Sequence, residues 1–270
     1  MKESKLSAAL SAILLCTSFC GGAFADNSAA AVSVYKGGKP LTLGNSAFIQ
    51  NETVYLPLRE LLDSLSGGKI EIVWNDDKSI VLNGTFAKTA DETVPSRAEF
   101  QIGSNELKIT RGEKAWEFAL SQPTILLNNR TYVSYDLAVI LNANLYPDGG
   151  FETVIAADEM SENELNRALI WADSLKTRDG KPRYDIMTED MQNKFIEDQK
   201  ALINDNENWN YTIGFSSPHV VSYDVAVSGN TAYISYHLTD SSNESYIVDE
   251  KLTFDNKDNT LYVSDCKTLE

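Results

Sequence analysis

The chain has 270 residues, 39 acidic against 23 basic side chains, a net charge of −16, two histidines and three cysteines. That balance repels nucleic acid and anionic polymers at long range, and no Lys/Arg cluster along the sequence offsets it, so no nucleic-acid partner is expected. The two histidines form no His-x-x-x-His or Glu-flanked pair, which leaves no transition-metal set, and the length suits two domains with a core each.

Residues 1–5 give a short charged start, residues 6–19 a mostly apolar core, and Ala23-Phe24-Ala25 a small-x-small site before Asp26. This is the pattern of an export leader cleaved after Ala25, and its apolar run is too short for a membrane span. A lipid anchor would need a small residue ahead of Cys16 or Cys20, where Leu15 and Phe19 stand. The expected product is secreted and has no transmembrane segment. Cleavage leaves Cys266 alone, so the fold must rest on buried apolar surface rather than an internal disulfide. Cys266 itself reads as a packed residue of a terminal strand.

Residues 26–31 are small and polar, a disordered lead-in. Residues 32–43 read as a hairpin turning at Gly37-Gly38. Residues 47–58 read as two short strands about Asn51-Glu52. Residues 58–65 then form a helix with Leu58, Leu61, Leu62 and Leu65 on one face, stopped by Gly67-Gly68. A further hairpin turns at residues 75–77, and residues 89–96, which contain Pro95, read as a loop. Strands follow at residues 100–103, 107–110 and 116–120.

Residues 125–141 (ILLNNRTYVSYDLAVIL) repeat the pattern of residues 48–65 (FIQNETVYLPLRELLDSL), aligned without gaps from Phe48 and Ile125 to Leu58 and Tyr135. A unit repeated within one chain is strong evidence of architecture. The copy closes with a turn at residues 147–150 and a strand at residues 151–157, and the domain boundary is placed at residues 157–160.

Ser161 and Glu164 have the spacing of a capping box for a helix that carries Leu165, Ala168, Leu169, Ala172 and Leu175 on one stripe and ends at Gly180. A second helix starts at Thr188 and is expected to bury Met191, Phe195 and Leu202. Five strands follow, at residues 211–216, 219–227, 231–239, 245–254 and 260–266. Two helices and an antiparallel meander predict an α+β domain with a curved sheet wrapped on helices.

TVYLPLREL and RTYVSYDLA, each in a strand–turn–strand–helix unit, resemble the copper amine oxidase N-terminal-like or stalk domain, common in exported proteins of Gram-positive bacteria. The resemblance covers residues 32–157. The first copy keeps Pro57-Leu58-Arg59, and the second carries Ser134-Tyr135-Asp136 in its place. The family name implies no oxidase activity here. An amine oxidase needs three copper-binding histidines and a quinone-forming tyrosine in an Asn-Tyr-acid-Tyr context, and Asn210-Tyr211-Thr212-Ile213 lacks both acid and second tyrosine. Residues 161–270 resemble the NTF2-like (cystatin-like) superfamily, which implies either a ligand-binding cone or a non-catalytic packing domain.

Trp171, Tyr184, Trp209, Tyr211, Tyr233, Tyr236 and His237 are the candidate lining of such a cone, because ring faces stack on a ligand while phenol groups hydrogen-bond it. Asp179 and Asp185 are the acids expected nearest to Tyr233 and His237. The competing expectation is that these aromatics are simply core. No catalytic residue, metal site or cofactor is assigned. Arg59 is expected to brace a neighbouring carboxylate or carbonyl, and Arg178 with Asp179 to cap a helix. The expected role is a secreted, non-catalytic binding or adaptor protein of the cell envelope, whose partner is a protein, peptide or glycan. The alternatives are a small-molecule isomerase or hydrolase, and a structural protein that pairs as a homodimer.

Overall fold

The computed structural model describes residues 32–43, 47–89, 92–145, 154–158, 161–203 and 209–269. The leader, the lead-in at residues 26–31 and the turn at residues 147–150 lie outside the described residues. So do residues 151–153 and 159–160 around the expected boundary. β1 (Val32–Lys36) and β2 (Lys39–Pro40) form the expected hairpin, with Gly37 and Gly38 in the left-handed region that only glycine enters freely. β3 (Phe48–Gln50) turns into β4 (Thr53–Pro57) through Asn51 and Glu52 at φ 51° and 60°. Two successive positive φ values match the right-handed twist of a two-residue hairpin. α1 (Leu58–Ser66) follows, with all four leucines of its stripe buried and a left-handed Gly67 cap donating to Asp63 O.

β5 (Glu71–Trp74), β6 (Ser79–Ala87), β7 (Thr93–Gln101), β8 (Glu106–Arg111) and β9 (Lys114–Ala119) form an antiparallel meander. The expected loop at residues 89–96 is therefore shorter, because β7 starts at Thr93. Pro95 is tolerated because it lies opposite Thr85 of β6 but beyond the end of the β7–β8 ladder, so its missing N–H breaks no bond there.

β10 (Ile125–Leu127), β11 (Arg130–Ser134) and α2 (Tyr135–Leu145) repeat the first unit, with Asn128 and Asn129 at φ 50° and 58°. The copies meet through their second strands, β4 and β11, in a four-stranded sheet ordered β10-β11-β4-β3. α2 differs from α1 in being buried on every side. It packs on β6 and β7 on one side and on β12 (Val154–Asp158) and the strands of the back half on the other. At about 2 kcal/mol for each large apolar side chain removed from water, its five Leu, Ile and Val residues make it a main source of cohesion.

The back half begins with α3 (Glu162–Thr177). The capping box does not form: Ser161 sits at φ −98°, ψ 24°, away from the extended geometry of a capping residue, and makes no side-chain cap bond. α3 ends at a left-handed Arg178 rather than at Gly180, and an unexpected short helix, α4 (Lys181–Asp185), starts with Pro182 in its first turn. α5 (Glu189–Ile203) leaves Leu202 71% exposed, and Gln199 is buried instead. The strand expected at residues 211–216 is absent, since Gly214 at φ 67° breaks the extended run and only an Asp179–Thr212 bridge remains.

β13 (His219–Ser228), β14 (Thr231–Thr239), β15 (Ser245–Lys257) and β16 (Thr260–Leu269) form the expected meander. Their sheet does not stop at the boundary between the halves. It runs β16-β15-β14-β13-β12-β1-β2, with β12 parallel to β13 through Ile155–Val225 and Ala156–Ala226. The fold is α+β, with five helices among the described residues, mostly antiparallel sheets, and two apolar cores on either side of the shared sheet.

Candidate functional site

The alternation of β14 decides where the sequence candidates go. Tyr236 faces α3 together with Ala232 and Ile234, whereas Tyr233 joins the front core and His237 pairs with Asp224. Trp171 on α3 and Tyr236 both donate to Glu250 Oε2, at 2.9 and 2.8 Å. Arg183 stacks 4.1 Å from the Trp171 ring and donates to Trp171 O and the Tyr236 hydroxyl. Tyr184, Trp209 and Tyr211 form a separate half-buried group with Phe195, their ring centroids 5.0 to 6.1 Å apart. Lys181 lies over two of these rings and pairs with Asp185. The seven candidates therefore occupy three places rather than one cone. Asp179 lies away from the Tyr233–His237 face: its carboxylate accepts from Lys181 N at the start of α4.

Beneath α2 the sheet carries a buried polar layer. Asp224, wholly buried, accepts from Asn142 Nδ2 at 2.9 Å, from Val154 N at 2.7 Å and pairs with His237 Nε2 at 2.9 Å. Ser235, opposite both Asp224 and Asp249 in the sheet, donates to Asp249. Burial pushes the Asp249 carboxyl up to about 6, against the Ser235 bond and the Arg111 charge, which pull it down. Arg111 is stacked between Phe86 and Trp116, at 4.6 and 4.2 Å, and burial lowers it to about 10 while Asp249 opposes the fall. A cleft of about 260 Å³ lined by Arg111, Trp116, Asn144 and Asp249 opens beside them. A serine, a histidine and acids are near one another here, with Ser235 donating to the Asp249 carboxylate and the His237 imidazole paired with Asp224 instead. The layer holds the halves together.

A larger concavity lies on the front half. It has a volume of about 530 Å³ and is lined by Arg59 and Glu60 of α1, Trp74 and Lys78 at the β5–β6 turn, and Leu126 and Arg130 of the second repeat. Three cations from three elements meet there against one carboxylate. Arg130 Nη1 lies 3.8 Å from Glu60 Oε1. Arg59 does not brace a carboxylate or carbonyl: it is exposed at the start of α1, and neither it nor Lys78 has a side-chain hydrogen bond or ion pair among the described residues. Trp74 and Leu126 are 43% and 56% exposed, large apolar surfaces left in water at the cleft. The neighbouring acid, Asp77, is engaged by Ser79, whose hydroxyl and N–H hold its carboxyl below the usual range.

The cleft follows from the repeat. β11 and β4 pair antiparallel with Tyr132 opposite Pro57, and continuing that register brings Arg130 of one copy to the helix start of the other. Lys78 arrives through the β5–β6 turn, where it takes φ 69° and its carbonyl accepts from Ile102 N at 3.1 Å. The absence of a basic run in the sequence is true and uninformative, because the cluster is assembled by strand pairing. Arg59 and Lys78 are exposed at the surface of a cleft, whereas Arg111 is withdrawn from solvent against the Phe86 and Trp116 rings. This contrast marks the front cleft as the candidate site.

The donor set does not fit copper. His237 is committed to Asp224 inside the shared sheet, His219 is exposed at the start of β13, and no group of three His, Cys, Asp or Glu side chains converges among the described residues. Also among the described residues, no helix is long and apolar enough to cross a membrane. Residues 35–156 match the family model of the copper amine oxidase N-terminal domain, a segment whose ends, in β1 and β12, are hydrogen-bonded to each other. No curated protein matches the chain.

Proposed function

We propose, with the copper amine oxidase N-terminal domain of residues 35–156 as premise, that the protein is a secreted, non-catalytic binding or adaptor protein of the cell envelope. The stalk-like front half presents the Arg59–Lys78–Arg130 cleft, and the back half, read as NTF2-like, is fused to it through the shared sheet. The convergence of three cations and an exposed indole on a chain of net charge −16 carries this reading. A local concentration of opposite charge on an acidic body attracts an anionic partner to that place.

Two further observations support it. Trp171, Tyr236, Arg183 and Glu250 fill the space between α3 and the sheet with their own bonds, which leaves the isomerase or hydrolase alternative without an open carboxylate there. The two histidines fall short of a copper centre, which argues against an amine oxidase. Co-sedimentation of residues 26–270 with the envelope fraction tests the reading. The wild-type chain should be retained, and the Arg59→Gln/Lys78→Gln variant should remain in the supernatant. Equal retention of the two, or retention of neither, defeats it.

A further inference from the structure

We infer that the Arg59–Lys78–Arg130 cleft takes an anionic saccharide, a sugar ring bearing a carboxylate or phosphate. This rests on the binding reading above and names the chemistry of its ligand.

Charge sets the first condition. The lining carries Arg59, Lys78 and Arg130 against Glu60 alone, so an anion is attracted within the cleft. Attraction to the three cations is screened beyond about one Debye length, roughly 8 Å in physiological salt, so the more distant parts of a long polyanion meet only the acidic surface of the rest of the chain. The favoured ligand is therefore a short anionic unit, or the exposed end of a longer chain, rather than a nucleic-acid strand lying across the surface. Arg59 and Lys78 meet it without first giving up a protein partner, and guanidinium groups suit carboxylate and phosphate equally.

Shape and surface set the second condition. The concavity of about 530 Å³ is of small-ligand size. Trp74 offers an exposed indole, and an indole face covers the C–H face of a sugar ring while leaving the ring's hydroxyls to polar neighbours. Asn129 on the rim supplies amide donor and acceptor groups for those hydroxyls. An acidic peptide would satisfy the cations but would make less use of a flat aromatic wall beside amides.

The third condition is rigidity. The Lys78 backbone is pinned by the Ile102-to-Lys78 bond and by the Asp77–Ser79 turn bonds, and Arg130 Nη1 lies 3.8 Å from Glu60 Oε1, so the backbone that presents these cations is set before a ligand arrives. Groups fixed before binding lose less freedom when the ligand arrives.

Titration calorimetry on residues 26–270 with trigalacturonate, maltotriose phosphate, maltotriose and hexaglutamate tests the inference. Trigalacturonate or maltotriose phosphate, or both, should bind, and the stronger of the two identifies carboxylate or phosphate as the preferred anion. Maltotriose should bind at least about tenfold more weakly, and Arg59→Gln and Lys78→Gln should each weaken the charged sugars about tenfold. Trp74→Ala should weaken the sugars and leave hexaglutamate unchanged. All three substituted side chains are exposed, and circular dichroism would confirm that the variants fold.

Hexaglutamate binding as tightly as the charged sugars would assign the cleft to an acidic peptide and overturn the inference. So would maltotriose binding equally well, or self-association by light scattering that the same substitutions abolish. If no saccharide binds while envelope retention still depends on Arg59 and Lys78, the ligand class is wrong and the binding reading survives. If that retention is also independent of them, both fail.

Discussion

Asn142 of the buried helix α2 donates to Asp224 of β13 at 2.9 Å, across the boundary between the front and back halves. The same carboxylate accepts from Val154 N of β12 and pairs with His237 of β14, so four elements converge on one wholly buried side chain. Buried polar groups of this kind are costly to leave unpaired, which is why the halves are held in one relative position.

Asp224→Ala should therefore destabilise the whole chain. It orphans two donors, Asn142 Nδ2 and Val154 N, and removes the partner of His237. At about 1–3 kcal/mol for each buried group left unsatisfied, a loss of roughly 3 kcal/mol or more is expected. Urea unfolding followed by circular dichroism and tryptophan fluorescence should give one coincident transition in the wild type. A loss below about 1 kcal/mol, or two separate wild-type transitions, would mean that the layer does not couple the halves.

The pH dependence follows from Asp249. Its carboxyl is raised to about 6 by burial, whereas in the unfolded chain it ionises near 4. Between about pH 4 and 6 the folded state keeps a proton that the unfolded state has lost, so the Asp249 contribution makes stability fall as pH rises. Above about 6 the full cost of the buried charge is carried, roughly 3 kcal/mol for a carboxyl that ionises near 6 instead of near 4. Asp249→Asn removes this titration, and the wild-type-minus-variant stability should drop by about that amount between pH 4 and 7 in urea melts. Burial raises the Asp136 carboxyl as well, but that effect is common to both proteins and cancels in the difference. A flat difference across the range would rule Asp249 out.

Local pattern made much of the architecture legible. The leucine stripe of α1, the Asn turns of both repeats and the β13–β16 meander each follow from a period or a turn that neighbouring residues supply. What escaped depends on pairing between distant segments. β12 adding to β13 could not be seen, because a short apolar strand looks the same at an edge or within a sheet. Tyr233 and Tyr236 appeared as one aromatic wall, although their odd spacing already places them on opposite faces of a strand. The basic cleft was missed because Arg59, Lys78 and Arg130 are far apart in the chain. The repeat did contain the signal: two equal units that pair through their second strands must set the turn of one beside the helix of the other.

Gly84 of β6 lies close against the end of α2. A Cβ built there would stand 2.5 Å from Leu145 O, a backbone atom at the end of a buried helix that cannot step aside cheaply. Gly84→Ala should cost about 1–3 kcal/mol despite adding a single methyl group. Gly68→Ala tests a different cause, since that Cβ meets nothing within 4 Å and only the φ of 80° is strained. If Gly84→Ala proved neutral in thermal unfolding, the packing of α2 on β6 would be looser than the structure shows.

Cys266 offers a chemical probe of the back core. Burial pushes its thiol up to about 12, and the nearby Glu250 charge adds to the rise while Arg183 opposes it. The thiolate is the reactive species, so at pH 8 the folded protein should react with a disulfide reagent at least about a hundredfold more slowly than a free thiol of pKa about 8.5. Full reactivity should return in denaturant. Glu250→Gln removes the acid that accepts from Trp171 and Tyr236 and lies 3.7 Å from Arg183. With that charge gone and the thiol's cover loosened, Cys266 should react faster in the folded state. Unchanged reactivity in this variant, with wild-type stability, would show that solvent access alone governs the thiol and that Glu250 exerts no field on it.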